Sequence, residues 1–94
     1  MKIVGLKVLH DFCASHSDVR PQAQAWISEV QEASWQTTQN IKDRHSSASF
    51  LSGNRVIFNL KGTKYRLLVV VGFKNQVVMI KDIGTHAEYD KWSL

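Results

Sequence analysis

The chain has 94 residues, of which 44% are hydrophobic and 21% charged, with a formal net charge of +4. This predicts one globular domain, residues 1–94, and excludes a disordered chain. The longest apolar stretch, Leu67 to Phe73, is too short to span a membrane, and the N-terminus lacks a signal-peptide pattern. With Cys13 as the only cysteine, we expect a cytoplasmic protein without an internal disulfide or a membrane partner.

The first part of the chain predicts helices. Ile3-Val4 fits either a short strand or the first turn of a helix. Ser17 or Asp18 is a good N-cap for a second helix, with Pro21 in its first turn. The apolar stripe of the first helix comprises Leu6, Leu9, Phe12 and Cys13. The buried stripe of the second comprises Val19, Ala23, Trp26, Ile27, Val30 and Ala33.

The rest of the chain predicts a sheet. A turn at 35–37, a short helix around Thr38–Arg44 and a loop at 45–49 come first. The segments rich in β-branched and aromatic residues are Asn54–Leu60, Lys64–Phe73 and Val77–Ile83. They predict an antiparallel meander, and the middle strand, apolar on both faces, is expected to be central and covered on both sides. Helices followed by a sheet predict the α+β class.

The charge is concentrated in the second half of the chain. Residues 42–94 carry nine basic and four acidic residues, a balance of +5, whereas residues 1–41 carry three and four, a balance of −1. A basic half favours a polyanionic partner, either a nucleic acid or an acidic protein. A solvated basic surface without any partner is an equally acceptable explanation of the charge alone.

The first hairpin turn predicts where some basic side chains lie. If Gly62-Thr63 is a two-residue turn, Lys61 pairs with Lys64 and Asn59 faces Arg66. Alternation then places these four side chains on one face at one end of the sheet. Cations gathered without a nearby acid repel one another, so this face favours a bound phosphate, which Arg66 can contact in a bidentate manner. The alternative is an exposed, hydrated hairpin end.

The second hairpin turn extends this prediction. If Lys74-Asn75 is also a two-residue turn, Lys81 falls opposite Leu68 on the same face, and Ile83 falls opposite Arg66. The chain would then leave the sheet beside the basic residues. A bulge in either hairpin would move some of these side chains to the other face.

The segment after the last predicted strand contains the candidate catalytic residues. Gly84 is expected to end the strand, and Thr85 to cap a short final turn or helix. RNA is cleaved when the ribose 2′-hydroxyl attacks phosphorus with help from a base, an acid and cations. Histidine titrates near neutrality, so His86 is the candidate for proton transfer. Tyr89 is a candidate acid or stacking platform, and Asp90 a candidate base or a partner that orients the histidine.

These residues also have structural explanations. A histidine near a chain end is commonly a surface or capping residue, and Tyr89 and Trp92 at helical spacing can anchor the segment to the core. His10, His16 and His45 lack the tight spacing of metal ligands, and a single cysteine supplies no thiolate cluster. We therefore expect no metal site and no cofactor.

Two long runs carry a family resemblance. Arg55-Val56-Ile57-Phe58-Asn59-Leu60-Lys61-Gly62-Thr63-Lys64-Tyr65-Arg66-Leu67 and Gly84-Thr85-His86-Ala87-Glu88-Tyr89-Asp90-Lys91-Trp92 resemble the HigB family of bacterial toxins, within the RelE-like superfamily. Trp26, Trp35 and the run Ser47–Leu51 also stand where that family has similar residues. The resemblance implies a RelE-like fold, with N-terminal helices packed on a small, mostly antiparallel sheet and a first strand at Ile3-Val4.

The resemblance also implies an activity and partners. It implies a ribosome-dependent mRNA endonuclease that acts in the ribosomal A site. It further implies a helix-turn-helix antitoxin of the HigA type, which neutralises the toxin and contacts operator DNA on its behalf. The predicted catalytic residues are Arg66, His86, Tyr89 and Asp90. The predicted RNA- and phosphate-binding residues are Asn59, Lys61, Lys64, Lys81 and Lys91. The alternatives are a non-catalytic basic module that binds RNA or the ribosome, and an interaction protein whose basic face serves an acidic antitoxin.

Overall fold

The computed structural model describes residues 1–94 as one five-stranded sheet flanked by helices. The helices are α1 (Leu6–Ser15), α2 (Arg20–Glu32), α3 (Thr38–Arg44) and α4 (His86–Tyr89). The strands are β1 (Lys2–Val4), β2 (Ser49–Leu51), β3 (Arg55–Leu60), β4 (Tyr65–Gly72) and β5 (Val77–Thr85). The strand order is β1-β5-β4-β3-β2, and every neighbouring pair is antiparallel except the parallel pair β1 and β5. The predicted α+β class is confirmed.

The connection between α1 and α2 differs from the prediction. Pro21 lies in the first turn of α2, as expected. However, Ser17–Val19 forms a short 3₁₀ turn, and α2 begins after Val19 without a side-chain cap. The prediction that Ser17 or Asp18 caps α2 is therefore wrong, because the Asp18 carboxylate is engaged by the sheet instead.

The segment around α3 contains a strand that the sequence did not reveal. The short helix has the predicted bounds, and Thr37 caps it through a capping box with Asn40. The last residue of the predicted loop at 45–49 is the first residue of β2, in which Phe50 pairs with Val56 of β3. A three-residue edge strand is too short to show an alternating pattern, so the loop prediction was wrong at its end.

The two faces of the sheet are covered to different degrees. On the inner face of β4, the side chains of Tyr65, Leu67, Val69 and Val71 are all buried. They join one core with the buried residues of α1, α2 and α3. The outer face of β4 is only half-buried. The predicted central position of this strand is confirmed, but the prediction that both of its faces are covered is only half right.

An aromatic cluster closes the core between the helices and β3. Phe58 packs against Trp26, Trp35 and His45, with ring centroids 5.5, 6.1 and 4.9 Å away. Phe58 is 1% exposed, so the cluster excludes water from this part of the inner face. Burial lowers the pKa of His45, because the charged imidazolium is disfavoured away from water. None of the four helices combines the length and the apolar character needed to cross a membrane.

Candidate functional site

Helix α4 starts directly where β5 ends, on the outer side of the sheet. β5 continues through Thr85, one residue past the predicted end at Gly84. Thr85 caps α4 as predicted, through a reciprocal box in which its hydroxyl accepts from Glu88 N (3.2 Å) and its own N–H donates to the Glu88 carboxylate (2.9 Å). This N–H also holds the pKa of Glu88 below its usual range. His86 N donates to the carbonyl of Lys64 (3.1 Å), which fixes the start of α4 beside the first hairpin.

The residues after α4 continue across the outer face. The ring of Trp92 approaches Gly84 so closely that a Cβ at this glycine would lie 3.2 Å from it and 3.0 Å from Glu88 Cβ. At the far side, the carbonyl of Leu94 accepts from Arg55 on β3 (3.2 Å). The segment from α4 to Leu94 therefore covers part of the outer face, and glycine at position 84 permits this close approach.

Four side chains converge where α4 meets β4. Arg66 Nη2 donates to His86 Nδ1 (3.4 Å), and its guanidinium lies 4.6 Å from the centre of the Tyr89 ring. His86 Nε2 lies 3.8 Å from Asp90 Oδ2. The structure thus brings together all four residues that were predicted to be catalytic. We call Arg66, His86, Tyr89 and Asp90 the α4 cluster.

The contact with Arg66 favours one tautomer of the neutral His86 ring. A guanidinium has donors but no acceptor, so Nδ1 of His86 must accept and carry no proton. The proton of the neutral ring then sits on Nε2, facing Asp90. No carboxylate lies within 4.0 Å of the Arg66 guanidinium, and its Nε has no hydrogen-bond partner. The charge of Arg66 is therefore not neutralised by any other side chain.

Two of the predicted phosphate-binding lysines have an acidic partner. Lys64 Nζ (2.7 Å) and Lys61 Nζ (3.2 Å) both bind Oδ2 of Asp18, and the Tyr65 hydroxyl donates to Oδ1 (2.7 Å). The bond from Lys64, followed by that from Tyr65, holds the pKa of Asp18 well below its usual range. Asp18 in turn raises the pKa of Lys64 and of Tyr65.

The prediction of a basic face without a nearby acid is therefore wrong. The predicted register of the first hairpin is confirmed, with Asn59 opposite Arg66. However, Lys61 has a φ of 52° in the turn, which breaks the strand alternation. Both lysine side chains reach the 3₁₀ turn between α1 and α2, away from Arg66.

The remaining predicted RNA-binding residues make no side-chain hydrogen bond to the α4 cluster. Asn59 donates to the carbonyl of Ser47, which ties β3 to the segment before β2. A bulge in the β4–β5 pair places Asp82, not Lys81, opposite Leu68, so the predicted position of Lys81 is wrong. Lys81 Nζ lies 3.8 Å from the Met79 sulfur, and Lys91 is exposed without a side-chain partner.

The bulge also corrects the predicted exit of the chain from the sheet. Ile83 pairs with Leu67, one residue from its predicted partner, and Gly84 stands opposite Arg66. His86 nevertheless reaches the cluster, because α4 turns back toward β4.

Sequence reasoning missed the contribution of two residues at this site. Glu88 was assigned no role, although the Thr-x-x-Glu pattern starting at Thr85 is a readable signature of a capping box. Asp18 gave no signal, because its partners lie 43 to 47 residues further along the chain.

The α4 cluster is an open surface site. The larger cavity, about 500 Å³, is lined by residues of α2, α3 and the turn between them, and the smaller one, about 260 Å³, lies between α1 and α2. Neither is lined by a residue of the predicted site. No three His, Cys, Asp or Glu side chains lie close enough together to hold a metal ion.

Comparison with known proteins identifies the family. A family model described as HigB toxin, the RelE-like toxic component of a toxin–antitoxin system, matches residues 19–92. The matched region includes the first hairpin and the whole α4 cluster. No match was found among curated proteins. The five-stranded, mostly antiparallel sheet is compatible with a RelE-like fold, and a toxin of this kind has an antitoxin partner. The chain therefore belongs to the HigB family of RelE-like toxins.

Proposed function

We propose that the protein is a ribosome-dependent mRNA endonuclease that inhibits translation by cutting mRNA in the ribosomal A site. The observation that carries this proposal is the position of Arg66, whose guanidinium contacts both His86 and Tyr89 and has no acidic partner. An unneutralised guanidinium beside an imidazole provides a phosphate ligand and a proton-transfer group at one place.

The α4 cluster is suited to cleavage by the 2′-hydroxyl of the RNA itself. The 2′-oxygen forms a bond to phosphorus while the bond from phosphorus to the 5′-oxygen breaks, which leaves a cyclic phosphate and a 5′-hydroxyl. In our proposal Arg66 turns from His86 to the phosphate and stabilises the charge that develops on its oxygens. The freed Nδ1 of His86 accepts the 2′-hydroxyl proton, and the leaving 5′-oxygen takes up a proton from an acid.

The other two members of the cluster support these roles. Asp90 faces Nε2 of His86 and orients the imidazole so that Nδ1 remains the basic nitrogen. Tyr89 packs under the Arg66 guanidinium and offers its half-buried ring as a platform for a base of the RNA. In our proposal the hydroxyl of Tyr89 donates the proton that the leaving 5′-oxygen takes up.

The proposal includes the location and the partners of the toxin. We propose that it acts in the cytoplasm, where its substrate is ribosome-bound mRNA, and that a HigA-type helix-turn-helix antitoxin neutralises it. Operator DNA would then be contacted only through this antitoxin. The family membership and the basic second half of the chain support these partners.

Primer extension on a defined mRNA, with and without programmed ribosomes, tests the activity. We expect cuts only with ribosomes, and we expect His86→Ala and Arg66→Ala to abolish them. His10→Ala and Arg44→Ala are matched controls, since both residues are exposed and lie on α1 and α3, away from the α4 cluster. Full activity of both cluster variants would refute the site. Folded protein that binds ribosomes without producing cuts would identify a non-catalytic binding module instead.

A further inference from the structure

One carboxylate in the structure occupies a site that is built like an oxyanion site. Asp18 receives two lysine ammonium groups on Oδ2 and the Tyr65 hydroxyl on Oδ1, at 2.7 to 3.2 Å. Three donors, two of them charged, therefore converge on one carboxylate. The same donors are those with which proteins bind phosphate oxygens.

This site is connected to the α4 cluster through the backbone of the first hairpin. The carbonyl of Lys64 holds the first N–H of α4, at His86, and Arg66 follows two residues after Lys64 in the chain. The side chains of Lys61 and Lys64 are 41% and 58% exposed, so neither is fixed by burial. Their side-chain hydrogen bonds all go to Asp18, so Arg66 is the one basic residue of the first hairpin whose side chain contacts His86.

We propose that Asp18 competes with RNA phosphate for Lys61 and Lys64 and so keeps the affinity of the toxin for free RNA low. Held by Asp18, the two lysines make no contact with the phosphates next to the scissile one. The cluster then binds RNA mainly through Arg66, and the substrate has to be presented by the ribosome. This inference rests on the proposed function and adds the reason for the dependence on ribosomes.

The salt dependence of RNA binding measures how many cations contact phosphates. For single strands, the slope of log K against log salt concentration changes by roughly 0.7 for each contact. Freeing two lysines by Asp18→Asn should therefore steepen the slope by about 1.4. The asparagine has the same shape and keeps an oxygen that can accept from the Tyr65 hydroxyl.

Asp11→Asn is the matched control. It changes the net charge equally and frees Lys7, which binds Asp11 at 2.7 Å on α1, away from the α4 cluster. The probe is a short unstructured RNA with 2′-O-methyl groups, which cannot be cut, and binding is followed by fluorescence anisotropy. We expect the slope to steepen in Asp18→Asn alone. Equal slopes in the wild type and Asp18→Asn, or an equal change in both variants, would overturn the inference.

A second variant tests the inference in the wild-type background, where the result does not depend on how well Asp18→Asn folds. In the wild type, Lys64→Gln should leave the salt slope unchanged, because this lysine is held by Asp18. In the Asp18→Asn background, the same substitution should reduce the slope by roughly 0.7. A fall of that size in the wild-type background would show that Lys64 already contacts RNA, and the proposed competition would be wrong.

Cleavage separates this inference from the proposed function. We expect Asp18→Asn to cut free RNA that the wild type leaves intact, with both proteins active on ribosomes. Tighter binding by Asp18→Asn without cleavage of free RNA would refute weak affinity as the reason for ribosome dependence. If the wild type makes no cuts even with ribosomes, the proposed function fails, whereas the salt slopes still decide whether Asp18 competes with phosphate.

Discussion

The capping hydroxyl of Thr85 holds the helix that carries His86 and Tyr89. α4 has only four residues, and a helix of this length is not stable without external contacts. Thr85→Val keeps the shape of the side chain and removes the acceptor of the Glu88 N–H. The reciprocal bond from Thr85 N to the Glu88 carboxylate survives. Loss of a capping hydroxyl costs about 1 kcal/mol of helix stability.

This free energy sets the size of the expected effects. A loss of about 1 kcal/mol reduces the ratio of ordered to frayed α4 by roughly fivefold. The amide protons of α4 should exchange about fivefold faster, and the cleavage rate on ribosomes should fall by up to fivefold. Since α4 contributes no buried residue to the core, the thermal midpoint of the protein should hardly change.

Hydrogen exchange by mass spectrometry and primer extension measure both effects. Thr37→Val is the matched control, because it removes the same kind of cap from α3, where Asn40 replaces Glu88 in the box. We expect faster exchange in α3 and unchanged cleavage for this variant. Faster exchange in α4 with wild-type cleavage would show that an ordered α4 is unnecessary. Equal losses of activity in both variants would indicate a general effect of stability.

Three further predictions concern stability. Lys64 and its neighbours hold the pKa of Asp18 below its usual range. The free energy of unfolding should therefore fall as the pH drops from about 5 through the unfolded pKa of about 3.9 toward the lower pKa of the folded state. Denaturant unfolding at several pH values should show a weaker fall for Asp18→Asn. Phe58→Ala should cost about 3–5 kcal/mol and shift tryptophan fluorescence to the red; a cost under 1 kcal/mol would contradict the packing. Gly5→Ala should destabilise more than Gly53→Ala, since both have positive φ but only the Gly5 Cβ would meet a β5 carbonyl, at 2.9 Å; equal thermal midpoints would argue against this contact.

Local patterns in the sequence predicted much of the sheet. The turn signal at Gly62-Thr63 predicted the register of the first hairpin, which places Asn59 opposite Arg66 as observed, although the turn comprises the four residues 61–64. The cap at Thr85 follows from a local signature as well. Both predictions succeed because the residues that determine these features are neighbours in the chain.

Features that depend on distant residues were not predictable in the same way. The bulge that moves Lys81 depends on how β5 fits between two strands, and no local pattern marks it. The partner of Lys61 and Lys64 comes from a turn between two helices, more than 40 residues earlier. The strand β2 is too short to show its period. For the candidate site, the sequence therefore placed the α4 cluster correctly but misplaced the surrounding cations.

The parallel pairing of β1 with β5 determines how much of the chain must be synthesised before the sheet can form. β1 pairs with the residues from Val77 to Met79, about 75 positions later in the chain. During synthesis, α1 and α2 therefore emerge before the sheet face that covers their apolar stripes. Such non-local pairing forms late and slowly, because the long intervening loop must first be closed. The α4 cluster needs the chain up to Asp90, so a nascent chain shorter than this cannot have an assembled site.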